Sequence, residues 1–176
     1  MSISGKLLPH AFLCMQEPTG KFGPTVQKEV EKSKEGYKNV IVTSSKSGKL
    51  TNELYKSFLK SVIQPYVEDK KFLLIIDSCG GQTNMQMYDD LFTTDEGDCT
   101  YTVKVVLPKC MPLIQSCDVY FYRQVKNFLK KIQNCCHLLV MEFEREISTR
   151  EDDIKLHSLI HNQLYASIFV LMLKYA

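Results

Sequence analysis

Two aspartates stand where alternating strands and helices can bring acids together. Asp77 directly follows the continuous apolar run of residues 72–76, and Asp118 stands near the predicted start of a helix after the next strand. In open α/β sheets, functional sites lie outside the carboxyl ends of the strands. Two carboxylates there suit hard cations such as Mg²⁺, and a pair of such ions can activate water and stabilise a leaving oxygen. Each aspartate alone has an ordinary alternative role, which is to cap the following helix.

The composition is that of a folded domain without a strong overall charge. Of the 176 residues, 44% are hydrophobic and 24% are charged, and the net charge is +2, so overall charge does not indicate a nucleic-acid binder. The seven cysteines are an odd number and no secretory signal is present, so we expect a reducing compartment rather than a disulfide framework. The most apolar stretch, residues 168–173, is too short to span a membrane, and we expect no membrane association.

Hydrophobic periodicity predicts alternating strands and helices. Strands are predicted at 6–15, 40–43, 72–76 and 101–107, and helices at 52–64, 82–92, 114–132 and from about 150 to the end. The apolar run 72–76 is typical of a strand buried on both faces. Segment 18–38 is predicted to be a loop with one helical turn. Pro65 is predicted to end the helix at 52–64. Ser148 and Glu151 are spaced as a capping box. The order of elements predicts an α/β layered domain.

Two stretches carry a resemblance to a known family. LLIIDSCGGQ around Asp77 and VKVVLPKCMPLIQSCDVYFYRQVK around Asp118 resemble the second and third acidic blocks of the DDE superfamily endonucleases. The closest group is the pogo- and Tigger-like (mariner-type) transposases and the host proteins derived from them. The positions that match the third block are Leu107, Pro108, Leu113, Ile114, Gln115 and Asp118. The resemblance covers residues 5–133, and Ser78 and Ser116 depart from the family's usual Asn and Pro.

This resemblance implies a fold, a site and a substrate. The implied fold is ribonuclease-H-like, a mixed sheet flanked by helices. Asp77 and Asp118 would be the second and third catalytic acids and would bind Mg²⁺ or Mn²⁺. Residues 1–133 would form a partial endonuclease domain without its first strand, and residues 134–176 a C-terminal helical extension. The implied partner is DNA, which places the protein in the nucleus.

The helix predicted after Asp118 has a basic character. It carries Arg123, Lys126, Lys130 and Lys131, with no acid before Gln133. Such a helix beside a phosphate-cleaving site can hold the DNA backbone, and the alternative is an ordinary solvated face. Two functions stay open: a nucleic-acid-binding fragment of a DDE endonuclease, or a non-catalytic DNA- or protein-binding module co-opted from a transposase. The C-terminal helices are the expected surface for a second copy or another protein.

A zinc site at the C-terminal helix is the weaker alternative. His157 and His161 share one helix face, and Cys135 or Cys136 could complete a ligand set. The residues between the histidines lack the glutamate of a metalloprotease motif, and the sequence has no Cys-x-x-Cys. The spacing therefore favours packing and capping roles.

We expect this chain by itself to be inactive as a nuclease. The family's first catalytic Asp lies on a strand ahead of the one that residues 6–15 resemble, and no Asp precedes that segment in this sequence. In a nicking assay with Mg²⁺ or Mn²⁺, the purified chain should leave supercoiled DNA intact. Cleavage that disappears in Asp77→Ala would contradict this expectation.

Overall fold

The computed structural model describes residues 2, 4–78, 81–94, 97–106, 121–143 and 149–174. The chain is a mixed α/β protein that divides into two compact units. Unit 1 contains residues 1–48 and 116–176, and unit 2 contains residues 49–115. In each unit two strands pair in parallel and a helix lies between them in the chain. The α/β class expected from the sequence is confirmed.

The described elements alternate as strands and helices and then become helical. In chain order they are β1 (Ala11–Gln16), α1 (Pro24–Gly36), β2 (Val40–Ser45), α2 (Asn52–Phe58), a π-helical turn (Leu59–Ile63), α3 (Gln64–Val67), β3 (Phe72–Ile76), α4 (Gln86–Phe92), β4 (Tyr101–Val105), α5 (Tyr122–Phe143), α6 (Arg150–Tyr165) and α7 (Ile168–Lys174).

Unit 1 is built on the parallel pair of β1 and β2. The register runs from Ala11 opposite Val40 to Gln16 opposite Ser45. Parallel neighbours need a crossover connection, and α1 supplies it. The core over this pair consists of Met15, Val30, Val40, Val42 and Ile154, so α1 and α6 both contribute to it.

A second apolar cluster joins α5 to α6. Val125, Phe128, Leu129 and Ile132 of α5 pack against Leu7, Ile160 and Leu164. Their spacing follows one face of a helix, as the sequence pattern predicted. Tyr122, expected in the same stripe, is 48% exposed, and Val119 lies outside the described residues.

Asn39, directly before β2, is the polar link between this strand and α6. Its Nδ2 lies within hydrogen-bond distance of three acceptors, Asn162 Oδ1 at 2.9 Å, the Ser158 carbonyl at 3.0 Å and His161 Nδ1 at 3.2 Å, and its Oδ1 accepts from Ser158 Oγ at 2.6 Å. His161 Nε2 lies 3.0 Å from the Leu8 carbonyl, which can only accept. Nε2 of His161 therefore carries a proton, and its Nδ1 faces the Asn39 amide nitrogen, which can only donate.

Unit 2 places α4 on one face of the β3–β4 pair. Phe72 of β3 contacts Phe92 of α4, and Tyr101 of β4 stacks on Tyr88 of α4 with ring centroids 5.7 Å apart. On the opposite face of β3, Leu73 and Ile75 are 49% and 52% exposed. The prediction that 72–76 is buried on both faces is thus wrong, although its bounds as a strand are confirmed.

The helix predicted at 52–64 continues past Pro65. Thr51 caps its start, accepting from the Leu54 N–H as predicted. After α2 the helix widens into the π-helical turn, and Pro65 then lies in the first turn of α3. A proline ring collides with the carbonyl four residues earlier in a regular α-helix. A π-helical turn shifts that carbonyl, which accounts for a helix that passes through the proline.

Other predicted bounds differ from the structure. The predicted loop 18–38 is helical from Pro24, because Pro suits a first helical turn and only Val26 and Val30 give α1 an apolar face. The capping box is one residue later than predicted, formed by Thr149 and Asp152. The strand expected at 6–15 begins at Ala11, and the final helix is interrupted between α6 and α7.

Two predictions concern α5: a helix at 114–132, and a boundary between the endonuclease domain and the C-terminal extension after residue 133. The described part of this helix begins at Tyr122 and continues to Phe143, so the boundary falls inside it; the division itself stays a prediction. Among the described residues, no helix combines the length and apolar content needed to cross a bilayer.

The Asn39 link predicts a pH-dependent stability. Burial, with a smaller contribution from His10, lowers the pKa of His161 below its ordinary value of 6.5. The folded state therefore binds this proton less readily than the unfolded chain, so stability is full above that ordinary value and falls as the pH drops below it. We expect the thermal unfolding midpoint to fall more between pH 7.5 and pH 5 in the wild type than in His161→Gln.

Glutamine is a suitable control here because its amide can accept from Asn39 and donate to the Leu8 carbonyl without titrating. Equal pH dependence in both proteins would show that His161 does not govern it.

Candidate acidic site and nucleic-acid interface

Asp77 lies at the carboxyl end of the β3–β4 pair. It directly follows Ile76, whose carbonyl accepts from the Val106 N–H at 2.8 Å and so extends the pairing to the strand end. Its side chain is half-buried. The alternative that Asp77 caps the following helix is wrong, because α4 begins only at Gln86, whose N–H donates to the Asn84 side chain.

The turn after Asp77 is closely fitted to the start of α2. Gly81 has a φ of 92°, in the left-handed region that favours glycine. A Cβ added at Gly81 would overlap the side-chain oxygen of Asn52. The next residue, Gln82, is held through its carbonyl, which accepts from the Tyr88 hydroxyl at 2.7 Å. The left-handed backbone therefore favours glycine at position 81, and a larger residue there would make the exposed Asn52 side chain move.

The second predicted acid, Asp118, lies outside the described residues, as do the other positions that carry the third block of the resemblance. In the part of the chain that the structure describes, no group of three or more His, Cys, Asp or Glu side chains is arranged to hold a metal ion. Asp77 is one carboxylate, and Mg²⁺ or Mn²⁺ needs several oxygen ligands. Asp77 is therefore the one predicted metal-binding acid that lies among the described residues.

The four predicted DNA-binding cations lie together on α5. Arg123, Lys126, Lys130 and Lys131 are all exposed. At about 100° per residue, Arg123 and Lys130 fall opposite the apolar face that packs on α6, and Lys126 and Lys131 fall on its two flanks. We call these four residues the basic face of α5. Because the apolar face is fixed against the core, the basic face is directed to solvent.

A recess of about 240 Å³ runs along the side of α5 that carries Lys131. Its lining residues are Gln124, Asn127, Phe128, Lys130, Lys131 and Asn134. Amide and ammonium groups can all donate hydrogen bonds to phosphate oxygens. The basic face is thus bordered by neutral donors of the kind that position a nucleic-acid backbone.

A larger cavity of about 720 Å³ opens at the carboxyl end of β1. It is lined by Leu13, Cys14, Met15, Gln16, Pro18, Arg150, Asp153 and His157. Arg150 Nε donates to the nearly buried Glu17 carboxylate at 3.0 Å. The cation of this cavity is therefore already paired within the protein.

Both histidines of α6 make hydrogen bonds to protein atoms. Both ring nitrogens of His161 are engaged, one by Asn39 and one by the Leu8 carbonyl. His157 Nδ1 donates to the Asp153 carbonyl at 2.8 Å, within its own helix. His161, which is buried, has the packing role that the sequence favoured. The polar role of Asn39 was missed, since no local pattern marks it.

Comparison with known proteins gave no identity: no family model, no curated protein and no solved structure matches the chain.

Gly81 and Gly97 provide a matched test of the turn after Asp77. Both have positive φ, but an added Cβ at Gly97 meets no described atom within 4 Å. We expect Gly97→Ala to lower the free energy of unfolding by about 1–2 kcal/mol, the usual cost of a left-handed alanine. Gly81→Ala should cost up to about 1 kcal/mol more, because the exposed Asn52 side chain must change its rotamer to avoid the added Cβ. Urea unfolding measures both.

The second substitution Asn52→Ala should restore part of the stability lost in Gly81→Ala. Equal losses in the two alanine variants would mean that the turn does not pack on α2.

Proposed function

We propose that this chain is part of a transposon-derived DDE endonuclease domain that binds DNA through the basic face of α5. The observation that carries the binding proposal is the exposure of Arg123, Lys126, Lys130 and Lys131 on a helix whose apolar face is fixed against the core. The resemblance of the sequence around Asp77 and Asp118 supports the endonuclease origin. The nucleus is the compartment in which such a protein meets its DNA.

The spacing of the basic face suits a DNA backbone. From Arg123 to Lys131 a helix rises about 12 Å, at about 1.5 Å per residue. Over that length one strand of a duplex carries three or four phosphates, at about 3.4 Å each along the axis. The number of cations along this length of α5 is therefore similar to the number of phosphates on one strand. Lysines and amides contact phosphates without reading bases, so we expect little sequence preference.

A ribonuclease-H-like fold is part of this proposal. Its mixed sheet is compatible with two parallel strand pairs, each with an intervening helix. The position of Asp77 at a strand's carboxyl end is where a metal-binding acid is expected. In the ancestral enzyme three acids would hold two Mg²⁺ or Mn²⁺ ions, with Asp77 and Asp118 as two of them.

The C-terminal helices are the proposed contact with a protein partner or a second copy. The described exposed large hydrophobic side chains on α6 and α7 include Leu159, Tyr165, Ile168 and Leu171. Exposed apolar groups are common on single domains, so this part of the proposal is secondary to DNA binding.

DNA binding should be strongly salt-dependent and should depend on the basic face. Four phosphate contacts predict a slope of log affinity against log salt of about −3.6, which is about a 100-fold loss between about 50 and 200 mM salt. The double variant Lys126→Ala/Lys130→Ala should reduce the slope by about 2 and weaken binding at low salt. Fluorescence anisotropy with a labelled duplex measures both quantities.

Lys60→Ala/Lys71→Ala is the matched control, because both lysines are exposed in unit 2 and the two double variants have the same net charge. If the control weakens binding as much, attraction is diffuse and α5 is not the binding face.

Added Mg²⁺ or Mn²⁺ separates the two functions left open by the sequence. Binding that a divalent ion strengthens, and that Asp118→Ala weakens, supports a surviving metal site. A DNA affinity that does not change when the ion is added supports a non-catalytic DNA-binding module. A chain that binds no DNA at all leaves the protein-interaction role.

A further inference from the structure

Two buried tyrosines form a hydrogen-bond relay to the turn after Asp77. Tyr88 is 0% exposed, and its hydroxyl donates to the Gln82 carbonyl at 2.7 Å. The hydroxyls of Tyr55 and Tyr88 lie 3.0 Å apart. Because the single proton of Tyr88 is used by Gln82, Tyr55 must be the donor in that second bond. The direction of the relay is therefore Tyr55 to Tyr88 to Gln82.

This relay is one of three anchors around Asp77. Before Asp77, the Ile76 carbonyl accepts from the Val106 N–H. After it, Gly81 lies close to the Asn52 side chain, and the Gln82 carbonyl accepts a hydrogen bond from the Tyr88 hydroxyl. A carboxylate at a strand end can be directed only as accurately as the backbone on both of its sides. The strand fixes the first side, and the second depends on α2 and α4.

We propose that Tyr88, supported by Tyr55, is a positioning residue for Asp77. Its hydroxyl holds the chain that leaves the candidate acidic site, and so sets the direction of the Asp77 carboxylate. What Asp77 does once positioned rests on the proposed function. The positioning itself rests on the hydroxyl contacts alone.

The competing explanation is that Tyr88 serves only to fill the core. Its ring contacts Tyr55 edge-on and stacks on Tyr101. Phenylalanine at position 88 retains those ring contacts and removes only the hydroxyl. Tyr101→Phe is the matched control, because the Tyr101 hydroxyl donates to Asp89 at 2.6 Å and does not reach the turn.

The test compares wild type, Tyr88→Phe and Tyr101→Phe by NMR. Tyr88→Phe loses two hydrogen bonds of its hydroxyl and Tyr101→Phe loses one, so both variants lose stability and a loss of stability alone does not test the proposal. We expect amide exchange at residues 81–87 to become about fivefold faster in Tyr88→Phe, as one stabilising hydrogen bond is lost locally. The carboxyl ¹³C resonance of Asp77 should move in Tyr88→Phe and stay in place in Tyr101→Phe. Tyr55→Phe should have a smaller effect in the same direction.

Unchanged exchange and an unchanged Asp77 resonance in Tyr88→Phe overturn the proposal, as does an equal change in Tyr101→Phe. A Mn²⁺ titration distinguishes this failure from failure of the proposed function. If Mn²⁺ alone broadens the Asp77 amide signal of the wild type, and more weakly that of Tyr88→Phe, positioning and metal binding are both supported. If Mn²⁺ broadens nothing, the metal site fails, while exchange and the carboxyl resonance still decide the role of Tyr88.

Discussion

A phenol buried away from water must find hydrogen-bond partners, and unit 2 is organised around this requirement at Tyr88. An unpaired buried hydroxyl costs about 1–3 kcal/mol, a large part of a domain's net stability. The Tyr88 hydroxyl bonds Tyr55 of α2 and the Gln82 carbonyl, while its ring stacks on Tyr101 of β4. One side chain of α4 thereby connects a helix, a strand and the turn after Asp77.

The protonation of these tyrosines keeps the connections intact. Burial raises the pKa of both Tyr55 and Tyr88 above the ordinary value. The hydrogen bond to Asp89 is the main cause that raises the pKa of Tyr101 to about 12. All three hydroxyls therefore keep their protons at neutral pH and remain donors. Unit 1 meets the same requirement differently, with Asn39 and a neutral His161 in place of phenols.

The sequence predicted most reliably what depends on local apolar patterns. The strand at 72–76 and the apolar stripe from Val125 to Ile132 were correct, because continuous or helically spaced apolar residues have few alternative structures. It failed for α1, whose charged sequence offers one valine pair. It could not predict the link between Asn39 and His161, since these partners are 122 positions apart and neither belongs to a local pattern.

For the candidate site, the sequence predicted positions better than interactions. It placed Asp77 at a strand end and four cations on one helix, but the relay through Tyr88 depends on tertiary packing that no spacing reveals. That α5 carries polar side chains on its solvent side follows from its packing, since a helix with one buried apolar face is polar on the other.

The sign of the charge is what separates α5 from an ordinary solvated helix. The exposed residues of α1 mix both signs, with Lys28, Glu31, Lys32 and Glu35 in close succession, as soluble surfaces usually do. Over the basic face of α5, no acid interrupts the cations. In a protein with a net charge of only +2, such local segregation is not a consequence of composition. A polyanion would gain from this arrangement, and a merely soluble helix would not require it.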